Sequence, residues 1–227
     1  MQPRWKRPET IFALWGGLAL ASLIPVTALL DGAFPIFTAV WILVPLVIGI
    51  VQRDASRVGF RAVPWRECVQ TSALNIGGLL LVMLLFEPWS HTYQKLLEVV
   101  LASRPPDTTF AWLLRFPRLP ALGGMLLYSG LVTLFGEELF FRGWLLQLLR
   151  RRWGPRWAVV VQALCFVGPN LLVAFVIPPL QGVLYVLVYT WLAIGVIGGW
   201  AAQRTSSIWP SLLAATVGNL VLVALLT

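Results

Sequence analysis

Long runs of apolar residues, separated by short polar segments rich in arginine, form the dominant pattern of this chain. Each run is long enough to cross the ~30 Å hydrocarbon core of a bilayer as a helix. We predict seven spans, at about 11–30, 33–51, 69–87, 120–145, 157–177, 180–201 and 208–226. The pattern therefore predicts an all-α, polytopic transmembrane bundle of seven or eight spans, formed as a single domain over residues 1–227.

The one sizeable polar excursion covers residues 88–119 and has Pro105-Pro106 in its middle. Apolar residues recur on both sides of these prolines at helical spacing, which indicates short helices lying along the membrane interface. They are Tyr93, Leu96, Leu97 and Val100 before the prolines, and Trp112, Leu113 and Phe116 after them.

Composition supports this interpretation, because 59% of the 227 residues are hydrophobic and only 11% are charged. An average soluble domain is about a quarter charged. The net charge of +8 comes mainly from arginines between the apolar runs, which is typical of membrane topology and not of a nucleic-acid-binding surface.

The basic segments also predict an orientation. They fall on one side of the membrane if the N-terminus is cytoplasmic, and we expect a bacterial cytoplasmic membrane. Ala19-Leu20-Ala21 resembles a signal-peptide cleavage site, but hydrophobicity continues to Leu30, so we expect an uncleaved anchor. Membrane lipids are therefore expected partners, and nucleic acid is not.

Cysteine and histidine are too few for a disulfide framework or a multi-histidine metal site. The chain has two cysteines, Cys68 and Cys165, and one histidine, His91, in the polar excursion. We therefore expect no metal or other cofactor.

Three ionisable residues lie close together in the fourth predicted span: Glu137, Glu138 and Arg142. Each charge inside a bilayer costs at least ~2.5 kcal/mol by insertion scales. Glu138 and Arg142 are four residues apart, a spacing that favours an ion pair, whereas Glu137 lies about 100° round the helix. Glu137 could thus be a general base that takes a proton from water, or all three charges could form an interhelical network.

The segment Glu137-Glu138-x-x-x-Arg142-Gly143 resembles the first motif of the CAAX-protease and bacteriocin-processing (CPBP, or Abi-type) family of glutamate-type intramembrane endopeptidases. Further downstream, Phe166-x-x-x-Asn170 resembles the family's Phe-x-x-x-His motif. The run from Gly198 to Pro210 and then Ala215-x-x-x-Asn219 resembles its last loop and His-x-x-x-Asn motif. Val58-Gly59-Phe60-Arg61 also resembles a recurrent element of the family. The resemblance is strong over about 120–222.

The resemblance implies a helical bundle with a conical, cytoplasm-facing cavity and a peptide or prenylated protein as substrate. Glu137 would be the general base, with Glu138 and Arg142 as orienting neighbours and Asn219 as an oxyanion donor. Both motif histidines are replaced, by Asn170 and Ala215. Asparagine does not exchange a proton near neutral pH, and alanine has no polar side-chain atom.

Three functions follow from these residues. The first is a substrate-binding or scaffolding pseudoprotease that has lost efficient hydrolysis. The second is an active, divergent protease in which Glu137 activates water and Asn170 with Asn219 forms the oxyanion site. The third is a transporter or channel subunit with the carboxylates as a proton relay, although no repeated halves or paired broken helices support it.

Overall fold

The computed structural model describes residues 58–102 and 116–226, and these residues form helices and connecting turns, with no strand among them. The prediction of an all-α fold is therefore confirmed for this part of the chain. The first two predicted spans, at 11–30 and 33–51, lie outside the described residues, as do Pro105, Pro106, Trp112 and Leu113 of the polar excursion.

The described residues form α-helices, two π-helices and one 3-10 turn. In chain order, the helices are α1 (Trp65–Ser90), α2 (Thr92–Ala102), α3 (Arg118–Tyr128), the π-helix π1 (Ser129–Leu145), α4 (Leu146–Val167), a 3-10 turn (Gly168–Asn170), α5 (Leu171–Val176), α6 (Pro179–Leu184), the π-helix π2 (Tyr185–Ile197), α7 (Gly198–Thr205) and α8 (Trp209–Leu226). α3 continues without a break into π1 and α4, and α6 continues into π2 and α7.

Every predicted span in the described part of the chain is helical. Trp65–Ser90 and Pro179–Thr205 are long and apolar enough to cross a membrane, and Trp209–Ala224 is a shorter apolar helix. This agrees with a membrane protein, whereas the total of seven or eight spans stays a prediction. The predicted arginine-rich loop after the fourth span is largely helical. The helix is interrupted there at Gly154, which has a φ of 77° and directly precedes Pro155.

The helices pack into a bundle in which π1 contacts α3, α4, α7 and α8. α4 packs against both π1 and π2, while α8 contacts α1, α3 and π1. Buried side chains of π1 and α4 form the main apolar core, which includes Phe140, Phe141, Leu145, Leu146 and Phe166. The site residues of π1 therefore sit on a closely packed support.

The junction of α1 and α2 is held by one carboxylate. α1 ends at His91 in a left-handed conformation (φ 51°), and the Glu87 carboxylate accepts the backbone N–H groups of Tyr93 and Gln94, each at 3.0 Å. The hydroxyl of Tyr189 on π2 donates to the same carboxylate at 2.7 Å. Glu87 thus ties the end of α1 to the start of α2 and to π2. The predicted helix around Tyr93 is confirmed, and its place at the interface stays a prediction.

The segment before α1 lies directly against π1 and the start of α8. Gly59 has a φ of +87°, and its carbonyl accepts the N–H of Ile208 at 3.1 Å. A Cβ at Gly143 would overlap the carbonyl oxygen of Val58, so only glycine permits this approach. The contact brings the Val58-Gly59 element next to the helix that carries the charged cluster.

Candidate ligand cavity and charged cluster

Glu138 and Arg142 form the ion pair that their spacing predicts. The Arg142 Nη1 atom lies 2.5 Å from Glu138 Oε1, and the two residues are only 2% and 1% exposed, respectively. The pair lies near the end of π1, before the helix narrows into α4. Breaking such a pair leaves one uncompensated charge in the interior, which is strongly unfavourable.

Side chains and backbone from four other helical segments complete the surroundings of this pair. Ser211 on α8 donates its hydroxyl to Glu138 Oε2, and Arg142 Nη2 donates to the Ile194 carbonyl on π2 at 2.9 Å. The Arg142 guanidinium also lies 4.7 Å from the centroid of the Phe166 ring on α4. Gly198 leaves room for it, because a Cβ there would stand 3.2 Å from the guanidinium nitrogens. The pair therefore joins π1 to α4, π2 and α8.

Glu137 is not part of this ion pair. It is half-buried and lines a cavity of about 330 Å³ in the described part of the bundle. No hydrogen bond to its carboxylate is formed by any residue that the structure describes. A carboxylate placed in this way is free to accept a proton from a bound water or to bind a polar ligand.

The cavity has an apolar wall and a few polar groups. Its lining residues come from α1, α2, π1, π2, α7 and α8: Asn75, Ile76, Leu79, Leu80, Met83, Tyr93, Thr133, Glu137, Glu138, Arg142, Ala193, Ile194, Gly198, Ser211, Ala214, Ala215, Val217, Gly218, Asn219, Val221 and Leu222. Its size falls in the range of small-molecule pockets, and such sites are mostly apolar with few directing polar groups. The cavity can therefore hold a ligand with an apolar chain and a polar end.

Asn219 and Ala215 face this cavity one turn apart on α8. The Asn219 side-chain amide lies 3.5 Å from the Ser129 hydroxyl, which is at the limit of a hydrogen bond, so the amide stays accessible to a ligand. Ala215 contributes only a methyl group to the wall.

Asn170 lies away from these residues and is not part of the cavity lining. α4 ends at Val167, and the 3-10 turn that follows directs Asn170 toward π2. Its amide donates to the Phe166 carbonyl at 3.1 Å, and its side-chain oxygen accepts the hydroxyl of Tyr185 at 3.2 Å. The structure thus brings Glu137, Glu138, Arg142 and Asn219 to one cavity and places Asn170 in a separate contact.

Four polar cavity residues were not among those singled out from the sequence as catalytic: Asn75, Tyr93, Thr133 and Ser211. Asn75 is 7% exposed. Because an amide within an apolar span usually makes a polar contact, its presence could have marked Asn75 as a candidate site residue from the sequence. Ser211 carried no such signal, because only the packing of α8 against π1 brings its hydroxyl to Glu138.

Comparison with known proteins agrees with the sequence motifs. Residues 120–221 match the sequence profile of the family described as Type II CAAX prenyl endopeptidase Rce1-like. No curated protein and no solved structure matches the chain.

Proposed function

We propose that this membrane protein, in which residues 120–221 match the family described as Type II CAAX prenyl endopeptidase Rce1-like, binds a prenylated or otherwise apolar peptide in the cavity beside Glu137 and hydrolyses it inefficiently. Its role would then be to hold or present the substrate, as a scaffold does.

The two ends of such a ligand match the two kinds of surface in the cavity. The apolar chain would lie along Leu79, Met83 and Leu222, and a peptide group would face Glu137 and Asn219. Apolar contact provides most of the binding free energy, and the few polar groups fix the orientation of the ligand.

The loss of efficient hydrolysis is inferred from Ala215 and Asn170. Ala215 lines the cavity at the position of a motif histidine but has no atom that can donate or accept a hydrogen bond. Asn170 replaces the other histidine and is engaged with Phe166 and Tyr185. Removing one oxyanion donor typically lowers kcat by about 10²–10³, so the absence of both histidines leaves only residual catalysis.

The proposal is tested by binding and cleavage measurements on the purified protein in detergent. The probe is a dansyl peptide ending in Cys-a-a-X with a farnesylated cysteine, and its binding is followed by fluorescence anisotropy. The Ala215→Phe variant should lose binding because the ring fills the cavity. Ala73→Phe is the matched control, because Ala73 is exposed on α1 and away from the cavity, and it should bind like the wild type.

Binding that survives Ala215→Phe, or no binding to the wild type, would contradict the proposal. Rapid cleavage of the probe, detected by mass spectrometry of the products, would contradict its second half.

Residual hydrolysis driven by Glu137 is a second candidate, favoured by the absence of a hydrogen-bond partner for this carboxylate in the described structure. The expected signature is slow cleavage that Glu137→Gln abolishes while probe affinity changes little. Cleavage that persists in Glu137→Gln would exclude Glu137 as the base. In this candidate Asn219 would be the cavity amide that stabilises the oxyanion, since Asn170 lies outside the lining.

A further inference from the structure

We propose that Asn75 is a substrate-binding residue, whose amide binds the peptide group of the ligand in the cavity that Ala215 and Asn219 also line, and supplies a hydrogen bond that the alanine at position 215 cannot make. This inference rests on the proposed function, since it names another residue of the same cavity. Asn75 lies outside the 120–221 segment that carries the family match.

The packing of α1 against α8 fixes the depth of Asn75 in the bundle. The Ser72 hydroxyl donates to the Pro210 carbonyl at 3.0 Å, and farther along, Leu79 comes within 4.0 Å of the position of a Cβ on Gly218. These contacts follow one another in the same order along both helices, so α1 and α8 run parallel. Asn75 lies about 4.5 Å beyond Ser72 along the helix axis. It is therefore level with Leu213 and Ala214, which directly precede Ala215 on α8.

The side chain of Asn75 is buried and faces the cavity. It is 7% exposed, lies on the stripe of α1 that includes Cys68, Thr71 and Ser72, and lines the same cavity as Glu137 and Ala215. Its amide has no hydrogen-bond partner among residues 58–102 and 116–226. A ligand with a peptide group in the cavity would supply a hydrogen-bond partner for this amide.

The chemistry of the asparagine side chain suits this role. The amide has two N–H donors and a carbonyl acceptor, so it can donate to a substrate carbonyl or accept from a substrate N–H. It keeps its hydrogen-bonding capacity over the whole physiological pH range. It can thus replace the hydrogen-bonding role of a histidine at position 215, but not its proton transfer, which agrees with binding without efficient hydrolysis.

The experiment compares two ligands that differ in one group. One is the farnesylated dansyl peptide, and the other replaces its peptide bond after the farnesyl-cysteine with a trans-alkene, which is planar and uncharged but has no carbonyl or N–H. The ratio of the two Kd values reports polar contacts to that bond alone. Asn75→Leu should lower the wild-type preference for the peptide about fivefold, the value for one net hydrogen bond, with the Kd of the alkene unchanged.

Two further variants distinguish hydrogen bonding from packing. Asn75→His keeps a donor and should retain the preference. Ser72→Ala changes the same stripe of α1, where the hydroxyl meets Pro210 and not the cavity, so any effect should be equal for both ligands. Asn75→Ala serves in place of Asn75→Leu if the leucine variant does not fold.

An unchanged preference in Asn75→Leu, or an equal loss of affinity for both ligands, would overturn the role of Asn75 and leave the proposed function standing. Failure of the wild-type protein to bind either ligand would overturn both.

Discussion

The buried pair of Glu138 and Arg142 allows a quantitative test of how the charged cluster supports the bundle. Arg142→Met removes the guanidinium while keeping an unbranched apolar side chain, and it leaves the Glu138 carboxylate 1% exposed with only Ser211 as a partner. Loss of one member of a buried pair costs about 3–5 kcal/mol. The contact of the guanidinium with Phe166 contributes to this loss, since a desolvated cation–π contact is worth about 2 kcal/mol.

A double-mutant cycle separates the interaction between the two charges from the rest of this cost. Glu138→Gln should also destabilise the protein, because it leaves Arg142 without its counter-charge. The double variant Glu138→Gln/Arg142→Met buries no charge at either position. It should therefore be more stable than the sum of the two single changes predicts, by at least about 1 kcal/mol.

The measurement is the free energy of unfolding in mixed dodecylmaltoside and SDS micelles, followed by the loss of helical circular dichroism. The matched control is Lys95→Met, which breaks a 2.7 Å ion pair with Glu98 that is 44% and 48% exposed. Solvent screens that pair, so the unfolding midpoint should not change. Single variants at positions 138 and 142 within about 1 kcal/mol of the wild type, or strictly additive effects, would refute the reasoning.

Three other predictions follow from single contacts. Gly143→Ala should destabilise the protein by about 1–3 kcal/mol, because the added methyl group overlaps the backbone of the segment before α1. The control is Gly123→Ala, which should not destabilise the protein because a Cβ there meets nothing within 4 Å. Thermal unfolding of the two variants is the measurement. Asn170→Ala should leave the Kd of the farnesylated probe unchanged, and a large loss of affinity would place Asn170 in the ligand site. Glu87→Leu should speed hydrogen exchange at the N–H of Tyr93, since the carboxylate that caps α2 is removed; unchanged exchange by mass spectrometry would contradict this.

The sequence was sufficient for the helical class and for the local geometry of the charged cluster. Spacing alone predicted that Glu138 pairs with Arg142 and that Glu137 stays outside this pair, because positions four apart share a helix face and adjacent positions do not. Motif order also placed Asn219 near this cluster. These inferences depended on contacts within one helix or on a family pattern.

Contacts between helices could not be predicted in the same way. The bond from Ser211 to Glu138 and the place of Asn75 in the same cavity as Ala215 both depend on how α8 lies in the bundle. For Asn170, the motif suggested a place in the candidate site. In the structure, α4 ends at Val167, and the turn that follows directs Asn170 toward Tyr185 instead. A motif gives the residues of a site but not the path of the backbone between them.

The attachment of α1 has a mechanical consequence for the cavity. Ser72 holds the N-terminal half of this helix to α8, and Glu87 holds its C-terminal end to α2 and π2. Gly77 and Gly78 lie between these two points, and paired small residues are frequent places for a helix to bend. A helix that is held at two points bends most easily between them. We therefore expect the stiffness of α1 around this glycine pair to limit the width of the apolar ligand chain that the cavity can hold beside Leu79.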